Sequence, residues 1–279
     1  MSSTIIHKSL VSAALFAAAV CVPSMANAAD LLIDPPVVEA PEVITQQAGG
    51  WYLRGDITYD MHQMDNPMYS VPGGTEVGFT SADLEDSFDL GLGIGYQINE
   101  NFRVDLTGEY VFSADFKGST LGYCGGLPPL VGGLPNPLGP NCISEDTSSY
   151  SAFKLLANAY VDLGNFNGFT PYVGAGIGGA YVSWDSLSNT ATCIAGNATC
   201  AIPPATNSHG GTDSWRFAYA LHAGFSYDIA HNTKLDLGYS YSHIAGGDMF
   251  KWLDNSGTQG YDKGIDSHVF RAGIRYQIW

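Results

Sequence analysis

The sequence has few basic residues, and after its first 28 residues it has no long hydrophobic run. Only 11 of its 279 residues are Lys or Arg, against 27 Asp and Glu, so the formal net charge is −16. Nucleic-acid binding depends on clustered Lys and Arg that neutralise phosphates, and this composition argues against it. Because no run of 18 apolar residues follows residue 28, a membrane-spanning helix is excluded from that part of the chain.

The first 28 residues have the features of a secretory signal peptide. Lys8 precedes an apolar run over residues 10–22, and Ala26-Asn27-Ala28 forms a small-residue cleavage site. A membrane anchor is the alternative, but a spanning helix needs about 20 apolar residues and this run is shorter. We therefore predict a signal peptide over 1–28, followed by a periplasmic N-terminal tether over 29–48 that is rich in proline and acidic residues.

Cysteine is scarce, and one of the five cysteines lies in the predicted signal peptide. An even number then remains in an exported protein, which favours disulfide bonds. Local pairing, 124 with 142 and 193 with 200, is favoured because each pair lies in one Gly-, Pro- or Asn-rich segment, although three pairings are open. Metal binding is less favoured, since neither spacing is CxxC and His209 is the only histidine nearby. The predicted disulfide residues are Cys124, Cys142, Cys193 and Cys200.

What the sequence does have is repeated alternation of apolar and polar residues, with 34 glycines and 16 tyrosines. In the first such segment, Trp51, Leu53 and Ile57 share one face of a strand, while Arg54 and Asp56 share the other. The pattern recurs in eight segments, which is an even number of strands. We predict these strands near residues 51–60, 88–98, 102–112, 149–163, 170–184, 214–229, 234–242 and 270–278.

The connections between these segments alternate in length. Short turns fall at 99–101, 164–169 and 230–232, and long connections at 61–84, 114–148, 185–213 and 246–265. Short turns on one side and long loops on the other are typical of bacterial outer-membrane barrels, with the long loops outside the cell. We therefore predict an all-β fold over residues 49–279, an eight-stranded antiparallel up-and-down transmembrane β-barrel with four long extracellular loops.

The placement of charge supports a membrane barrel over a soluble sandwich. A membrane barrel points its apolar side chains outward and its polar side chains into the lumen. Eight strands leave a lumen that side chains fill, and glycines spaced two apart at 91–95 and 174–178 leave room for larger residues. The predicted charge network in the lumen consists of Arg54, Asp56, Asp89, Arg103, Asp105, Glu109, Lys154, Arg216, Asp236, Arg271 and Arg275.

Two segments carry a family resemblance: Gly-Trp-Tyr-Leu-Arg-Gly-Asp at 50–56 and Phe-Arg-Ala-Gly-Ile-Arg-Tyr at 270–276, together with Ala-Asp after the cleavage site. The chain resembles the small outer-membrane β-barrel proteins of alphaproteobacteria, of the major outer-membrane and haemin-binding type. The resemblance implies an abundant eight-stranded barrel that contributes to membrane integrity and surface contacts, with porin-like activity. One departure is the ending, where Ile278 takes the lipid-facing place that is usually aromatic and Trp279 follows it.

These observations predict a barrel without catalysis and without a cofactor, in the cell outer membrane, with a structural role in envelope integrity or a narrow porin-like role. Its expected partners are outer-membrane lipid, lipopolysaccharide and the outer-membrane assembly machinery. The alternative is a loop-based binding protein or adhesin; haem binding would use His62 or His209, although solvated loop histidines are favoured. A lipid-modifying enzyme is a distant third, because Ser242 and His243 are adjacent and face opposite sides of a strand.

Overall fold

The computed structural model describes residues 49–65, 67–71, 75–122, 130–131, 134–135, 142–194, 205–251 and 259–278. The predicted signal peptide and tether, together with Cys124, Cys200 and Trp279, lie outside the described residues. Within the described part of the chain, no helix has the length and apolar character needed to cross a membrane.

Eight long strands form a closed ring. They are β1 (Gly50–Met64), β2 (Ser87–Gln97), β3 (Phe102–Ser119), β4 (Cys142–Asp162), β5 (Phe169–Trp184), β6 (Asp213–Ala230), β7 (Thr233–Lys251) and β8 (Gln259–Gln277). Each strand pairs antiparallel with its neighbour in chain order. β8 pairs with β1, from Tyr52 opposite Gln277 to Met64 opposite Ile265, and this pairing closes the barrel. The predicted eight-stranded barrel is confirmed.

The two ends of the barrel differ in their connections. At one end, the turn end, residues 98–101, 163–168 and 231–232 join consecutive strands. In the second of these turns the backbone N–H of Gly168 donates to Asn165 Oδ1 at 2.7 Å. Gly168 has φ +89°, in the left-handed region that glycine adopts at little cost. We call the opposite end, where the longer connections lie, the distal end.

β3, β4, β7 and β8 run much further toward the distal end than the sequence predicts, so two of the four predicted loops are much shorter than expected. β3 and β4 reduce the connection predicted at 114–148 to 120–141, and β7 and β8 reduce the one predicted at 246–265 to 252–258. Shorter strands occupy much of what remains. They are Met68–Val71, Thr75–Gly78, Ser81–Leu84, Leu121–Gly122, Leu130–Val131, Leu134–Pro135, Leu187–Cys193 and Ala205–His209.

An apolar band faces outward from the turn end to beyond the middle of the barrel, and on β6 it reaches Trp215 near the distal end of the strand. Leu92 is 74 % exposed, Leu221 56 % and Trp215 63 %, while the residues between them along each strand are buried. This inverts the arrangement of a soluble protein, in which large apolar side chains are buried. It is the arrangement that a barrel in lipid requires.

At the distal end the arrangement reverts to that of a soluble protein. A bulge shifts the register between β3 and β4, and Phe112 and Ser113 both face outward there. Beyond the bulge Phe116 faces inward and is fully buried, while Lys117 faces outward. The extra residue of a bulge therefore exchanges the two faces of the strand, as expected when one strand passes from lipid into water.

The inward apolar side chains beyond the bulge form a packed cluster that we call the distal plug. Phe116 packs against Trp184 with ring centroids 5.8 Å apart, and Trp184 packs against Tyr150 at 5.2 Å. Phe79, from the connection between β1 and β2, contacts both Phe116 and Phe250 at 5.7 and 6.4 Å. The buried members of the plug are Leu84, Ala114, Phe116, Tyr150, Val182, Trp184, Leu187, Ile244, Met249, Phe250 and Ile265.

Candidate functional site: the charged lumen

The eleven residues of the predicted charge network all face the inside of the barrel. Ten are buried, among them Asp89 at 0 % and Arg103 at 1 % exposure, and the Arg271 side chain is 8 % exposed. Charges this deep are tolerated only when they are paired and hydrogen-bonded. The structure brings most of them together in two groups between the turn end and the distal plug, and places Arg216 apart.

The group nearer the turn end is built around Arg54. Its guanidinium binds Asp56 through two bonds of 2.9 Å and reaches Asp105 Oδ2, also at 2.9 Å. The hydroxyl of Tyr52 donates to the same Asp105 oxygen at 3.0 Å, and the Asn158 amide donates to Asp105 Oδ1 at 2.7 Å. Both oxygens of Asp105 are therefore satisfied, and the bidentate arginine contact fixes the geometry.

Two further arginines extend this group. Arg103 Nε lies 3.1 Å from Asp162 Oδ1, and its guanidinium stacks over the ring of Tyr160 at 4.1 Å. Arg275 Nη2 lies 3.1 Å from Asp236 Oδ1 and 2.7 Å from Ser226 Oγ. Each of these arginines therefore has a carboxylate partner from another strand, which neutralises charge within the lumen.

The group nearer the middle of the barrel surrounds Lys154. Its ammonium lies 3.0 Å from Asp60 and 3.8 Å from Asp89, and it also contacts Glu109. Arg271 Nη2 approaches the other oxygen of Glu109 at 3.1 Å. Ligand atoms of Asp60, Asp89 and Glu109 lie within 4.8 Å of one another, a spacing that suits a divalent metal. Lys154 fills that position, so we interpret the cluster as a lysine-centred ion network.

Arg216 belongs to neither group. Its Nη1 donates to Asp262 Oδ2 at 2.7 Å and its Nη2 to the carbonyl of Asp248 at 2.6 Å, both toward the distal end. Burial raises the pKa of Asp262, and the neighbouring Arg216 opposes that shift. Asp262 lies in a segment that the sequence predicts to be a loop, so the sequence does not indicate this ion pair.

Glycines on β2 and β5 make room for large side chains from neighbouring strands. A Cβ atom at Gly95 would overlap the ring of Tyr52, and one at Gly174 would overlap the ring of Tyr160. Both tyrosines belong to the group around Arg54. The period-two glycines are therefore part of how the lumen is filled.

Several participants lie outside the predicted network. The sequence places Asp60 and Asp162 on polar strand faces, and only the register between strands shows that they meet Lys154 and Arg103. His222 lies 2.7 Å from Ser240 Oγ and 3.1 Å from Asn158 Oδ1. The alternation along their strands predicts that Asn158 and His222 face the lumen, but nothing in the sequence predicts that these two side chains contact each other.

The predicted loop histidines are not solvated. His62 lies inside the barrel, 2.8 Å from Ser267 Oγ and 3.1 Å from Ser87 Oγ, and His209 is also buried. The expectation of solvated loop histidines is therefore wrong for these two, because His62 faces inward on β1 and the ring of His209 packs beside Phe250 of the distal plug, with 5.7 Å between the centroids. This burial also removes the exposure on which haem binding would have depended.

Ser242 and His243 face opposite sides of β7, as the alternation of a strand requires. Ser242 is buried in the lumen, and His243 faces outward with its Nδ1 2.7 Å from Asp266. The two side chains therefore do not form a catalytic pair with each other.

The cysteines are described only in part. Cys142 and Cys193 are both disulfide-bonded, and they lie opposite each other in the ladder between β4 and Leu187–Cys193. Because Cys124 and Cys200 lie outside the described residues, the pairing stays a prediction.

Known proteins agree with this architecture. The model of the outer membrane protein beta-barrel domain matches residues 12–277. An uncharacterised protein of Brucella abortus (strain 2308) is 37 % identical over 281 residues, with 91 % of this chain and 93 % of that protein covered. A protein of Rickettsia bellii (strain RML369-C) that bears the name "Putative adhesin" is 29 % identical over 245 residues, covering 82 % and 88 %.

Among solved structures, the outer membrane protein OprG from Pseudomonas aeruginosa is 18 % identical with a TM-score of 0.40, covering 83 % of this chain and 96 % of that one. The outer membrane protein AlkL is 16 % identical with a TM-score of 0.44, covering 91 % and 96 %. The family match extends over nearly the whole chain, and the ring of eight strands with its outward apolar band agrees with it. This chain therefore belongs to the outer membrane protein beta-barrel domain family and resides in the outer membrane.

Proposed function

We propose that this protein is a non-catalytic, non-conducting outer-membrane barrel that stabilises the envelope and presents its distal end to the outside of the cell. The observation that carries the proposal is the closed lumen. Paired charges fill it around Arg54 and Lys154, and the distal plug covers it beyond Tyr150. Eight-stranded barrels of this kind have interiors that side chains fill, which argues against the narrow porin-like role.

The orientation follows from the family arrangement. Outer-membrane barrels place short turns in the periplasm and longer connections outside. Here the three short connections are 98–101, 163–168 and 231–232, so the distal end faces outward and the predicted N-terminal tether lies in the periplasm.

Recording from the purified full-length barrel in planar lipid bilayers tests the proposal. We expect no stable conductance steps, because ions would have to pass both the paired charges and the distal plug. Reproducible steps of uniform size from the wild-type protein, absent from a refolded control barrel known to be silent, would overturn the closed lumen.

A second candidate function is surface binding, as in an adhesin. The strand extension favours it, because β3, β4, β7 and β8 continue past the apolar band around an apolar core of their own. The name of the Rickettsia bellii relative points the same way. Exchange of the distal connections for short turns, with the barrel retained, should abolish attachment of expressing cells to a host-cell layer if this function is present.

A further inference from the structure

The outer surface of β7 and β8, with Tyr219 of β6 beside them, carries a group of hydrogen-bonding side chains. On β7 and β8 this group lies at the distal margin of the apolar band, whereas on β6 the band continues past Tyr219 to Trp215. We call this group the outer patch. In the sheet, His243 lies opposite Asp266, and Tyr241 lies opposite His268. The members of the outer patch are Tyr219, Tyr239, Tyr241, His243, Asp266 and His268.

Contacts within the outer patch hold its side chains in place. The Tyr241 hydroxyl donates to Asp266 Oδ1 at 2.6 Å, and His243 Nδ1 lies 2.7 Å from the same oxygen. The Tyr239 hydroxyl lies 2.6 Å from His268 Nδ1. Because both histidines use Nδ1 in these contacts, each presents Nε2 for a further hydrogen bond.

The outer patch is confined to one side of the barrel. On the other side, the outward rows of β3, β4 and β5 end distally in Phe112, Phe153 and Tyr181, and the described residues of these strands include no histidine; their outward carboxylates, Asp115 and Glu145, lie farther from the band. Below the outer patch the surface is again apolar, since Phe270 is 52 % and Ile274 54 % exposed. Outward hydrogen-bonded pairs occur on other strands, as between Tyr59 and Asp86 at 2.7 Å. Among the described residues, the outer patch is where two outward histidines share a surface with a carboxylate.

Charged groups on the lipid face are costly at mid-bilayer and nearly neutral at the interface. His243, Asp266 and His268 lie at the distal end of the band, which is the outer-leaflet side in the orientation proposed above. At that depth the neighbouring material is the headgroup layer of the outer leaflet. An ordered set of donors and an acceptor there suits a headgroup that carries both phosphate and hydroxyl groups.

We propose that the outer patch binds the phosphorylated sugar headgroup of an outer-leaflet glycolipid. The Tyr239 hydroxyl donates to Nδ1 of His268, whose Nε2–H donates to a phosphate oxygen, while Nδ1–H of His243 is held by Asp266 and its Nε2 accepts from a sugar hydroxyl. The exposed Lys263, just beyond Gly264 on β8, adds positive charge. The second oxygen of Asp266 accepts from a sugar hydroxyl, and the tyrosine rings offer flat apolar surfaces to the sugar. The proposal rests on the orientation above but not on the closed lumen.

Native mass spectrometry of the full-length detergent-solubilised barrel, titrated with purified lipid A, tests the proposal. We expect His243→Leu with His268→Leu to weaken lipid A binding by about tenfold, since hydrogen bonds to charged groups are the stronger ones. The control is Phe153→Leu on the other side, which should bind as the wild type does. Heat-modifiable gel migration confirms that each variant is folded.

Three results would overturn the proposal. The double variant could retain wild-type affinity for lipid A. Lipid A without phosphates, or phosphatidylglycerol, could bind as tightly as lipid A does, which would remove the phosphorylated sugar as the ligand. Lys263→Cys could instead cross-link into dimers in native membranes, which would assign the outer patch to a second copy. None of these results alters the bilayer recordings, so this proposal and the closed lumen can fail separately.

Discussion

Replacing Lys154 with methionine should strongly destabilise the folded barrel. In the wild type, the buried carboxylates of Asp60, Asp89 and Glu109 all contact Lys154. Arg271 is a second cation in contact with Glu109. Methionine fills a similar volume but leaves Asp60 and Asp89 without the cation that they contact. Removal of one partner from a buried ion pair costs about 3–5 kcal/mol, because the remaining charge stays buried.

The assay is urea-dependent folding into lipid vesicles, followed by tryptophan fluorescence and by heat-modifiable gel migration. Lys234→Met is the matched control, because the Lys234–Asp228 pair is partly exposed at 21 % and 29 % and should contribute less than about 1 kcal/mol. Addition of Asp60→Asn to Lys154→Met should recover part of the loss, with a coupling energy of about 1–3 kcal/mol.

The reasoning would be refuted if Lys154→Met unfolded at the same urea concentration as Lys234→Met. It would also be refuted if the loss of unfolding free energy in the double variant equalled the sum of the losses in Lys154→Met and Asp60→Asn. Either outcome would mean that the carboxylates around Lys154 are neutral or hydrated in the folded barrel.

Three other changes test other parts of the structure. Leu92→Lys should lower the free energy of unfolding by about 2–4 kcal/mol in the same folding assay, because Leu92 is 74 % exposed on the lipid-facing surface. Asp115→Lys, at an outward position beyond the band, should lower it little, and equal effects would refute the position of the band. Trp184→Ala should lower the free energy of unfolding by about 3–5 kcal/mol and increase protease cleavage of the distal strands. Unchanged cleavage would mean that the distal plug does not hold these strands in place. Burial lowers the pKa of His209, so the neutral imidazole stabilises the fold above the unfolded pKa of about 6.5 and this contribution is lost as the pH falls. The urea midpoint should therefore fall more in the wild type than in His209→Gln between about pH 7.5 and about pH 5, and parallel curves would contradict the assignment.

The sequence predicts the membrane part of the barrel well because lipid imposes a simple rule on it. Every outward residue there must be apolar and every inward residue can be polar, so alternation in one phase marks each strand. Leu92 and Leu221, both outward in the prediction, are both exposed in the structure. Strand phase is a local property, and it needs no knowledge of which strands are neighbours.

The distal extension is harder to predict because its phase is reversed. After the bulge at Phe112 and Ser113, the apolar residues Ala114 and Phe116 face inward, and the polar residues Asp115 and Lys117 face outward. A pattern of alternation in one phase ends at such a bulge, and the residues beyond it then resemble a loop. For the same reason the sequence does not indicate the distal plug.

Strand phase also predicts which residues enter the lumen but not which residues meet. Lys154 and Asp60 are 94 residues apart, and their contact depends on the pairings of β4 with β3, β3 with β2 and β2 with β1. Each pairing sets a shift of register that the sequence leaves open. Asp262 shows the same limit, since its partner Arg216 lies on a strand two positions away.

Buried ion pairs need an explanation beyond stability, because apolar residues of similar volume are often as stabilising or more so. An apolar lumen would make each strand apolar on both faces, and β3 alone has 18 residues. A continuous apolar segment of that length would insert into a membrane as a helix before it reached the outer membrane. The inward charges at Arg103, Asp105 and Glu109 interrupt it at intervals of a few residues. We infer that the ion network keeps the chain from forming membrane helices during export, and that its charges are neutralised only when the closed barrel brings the strands together.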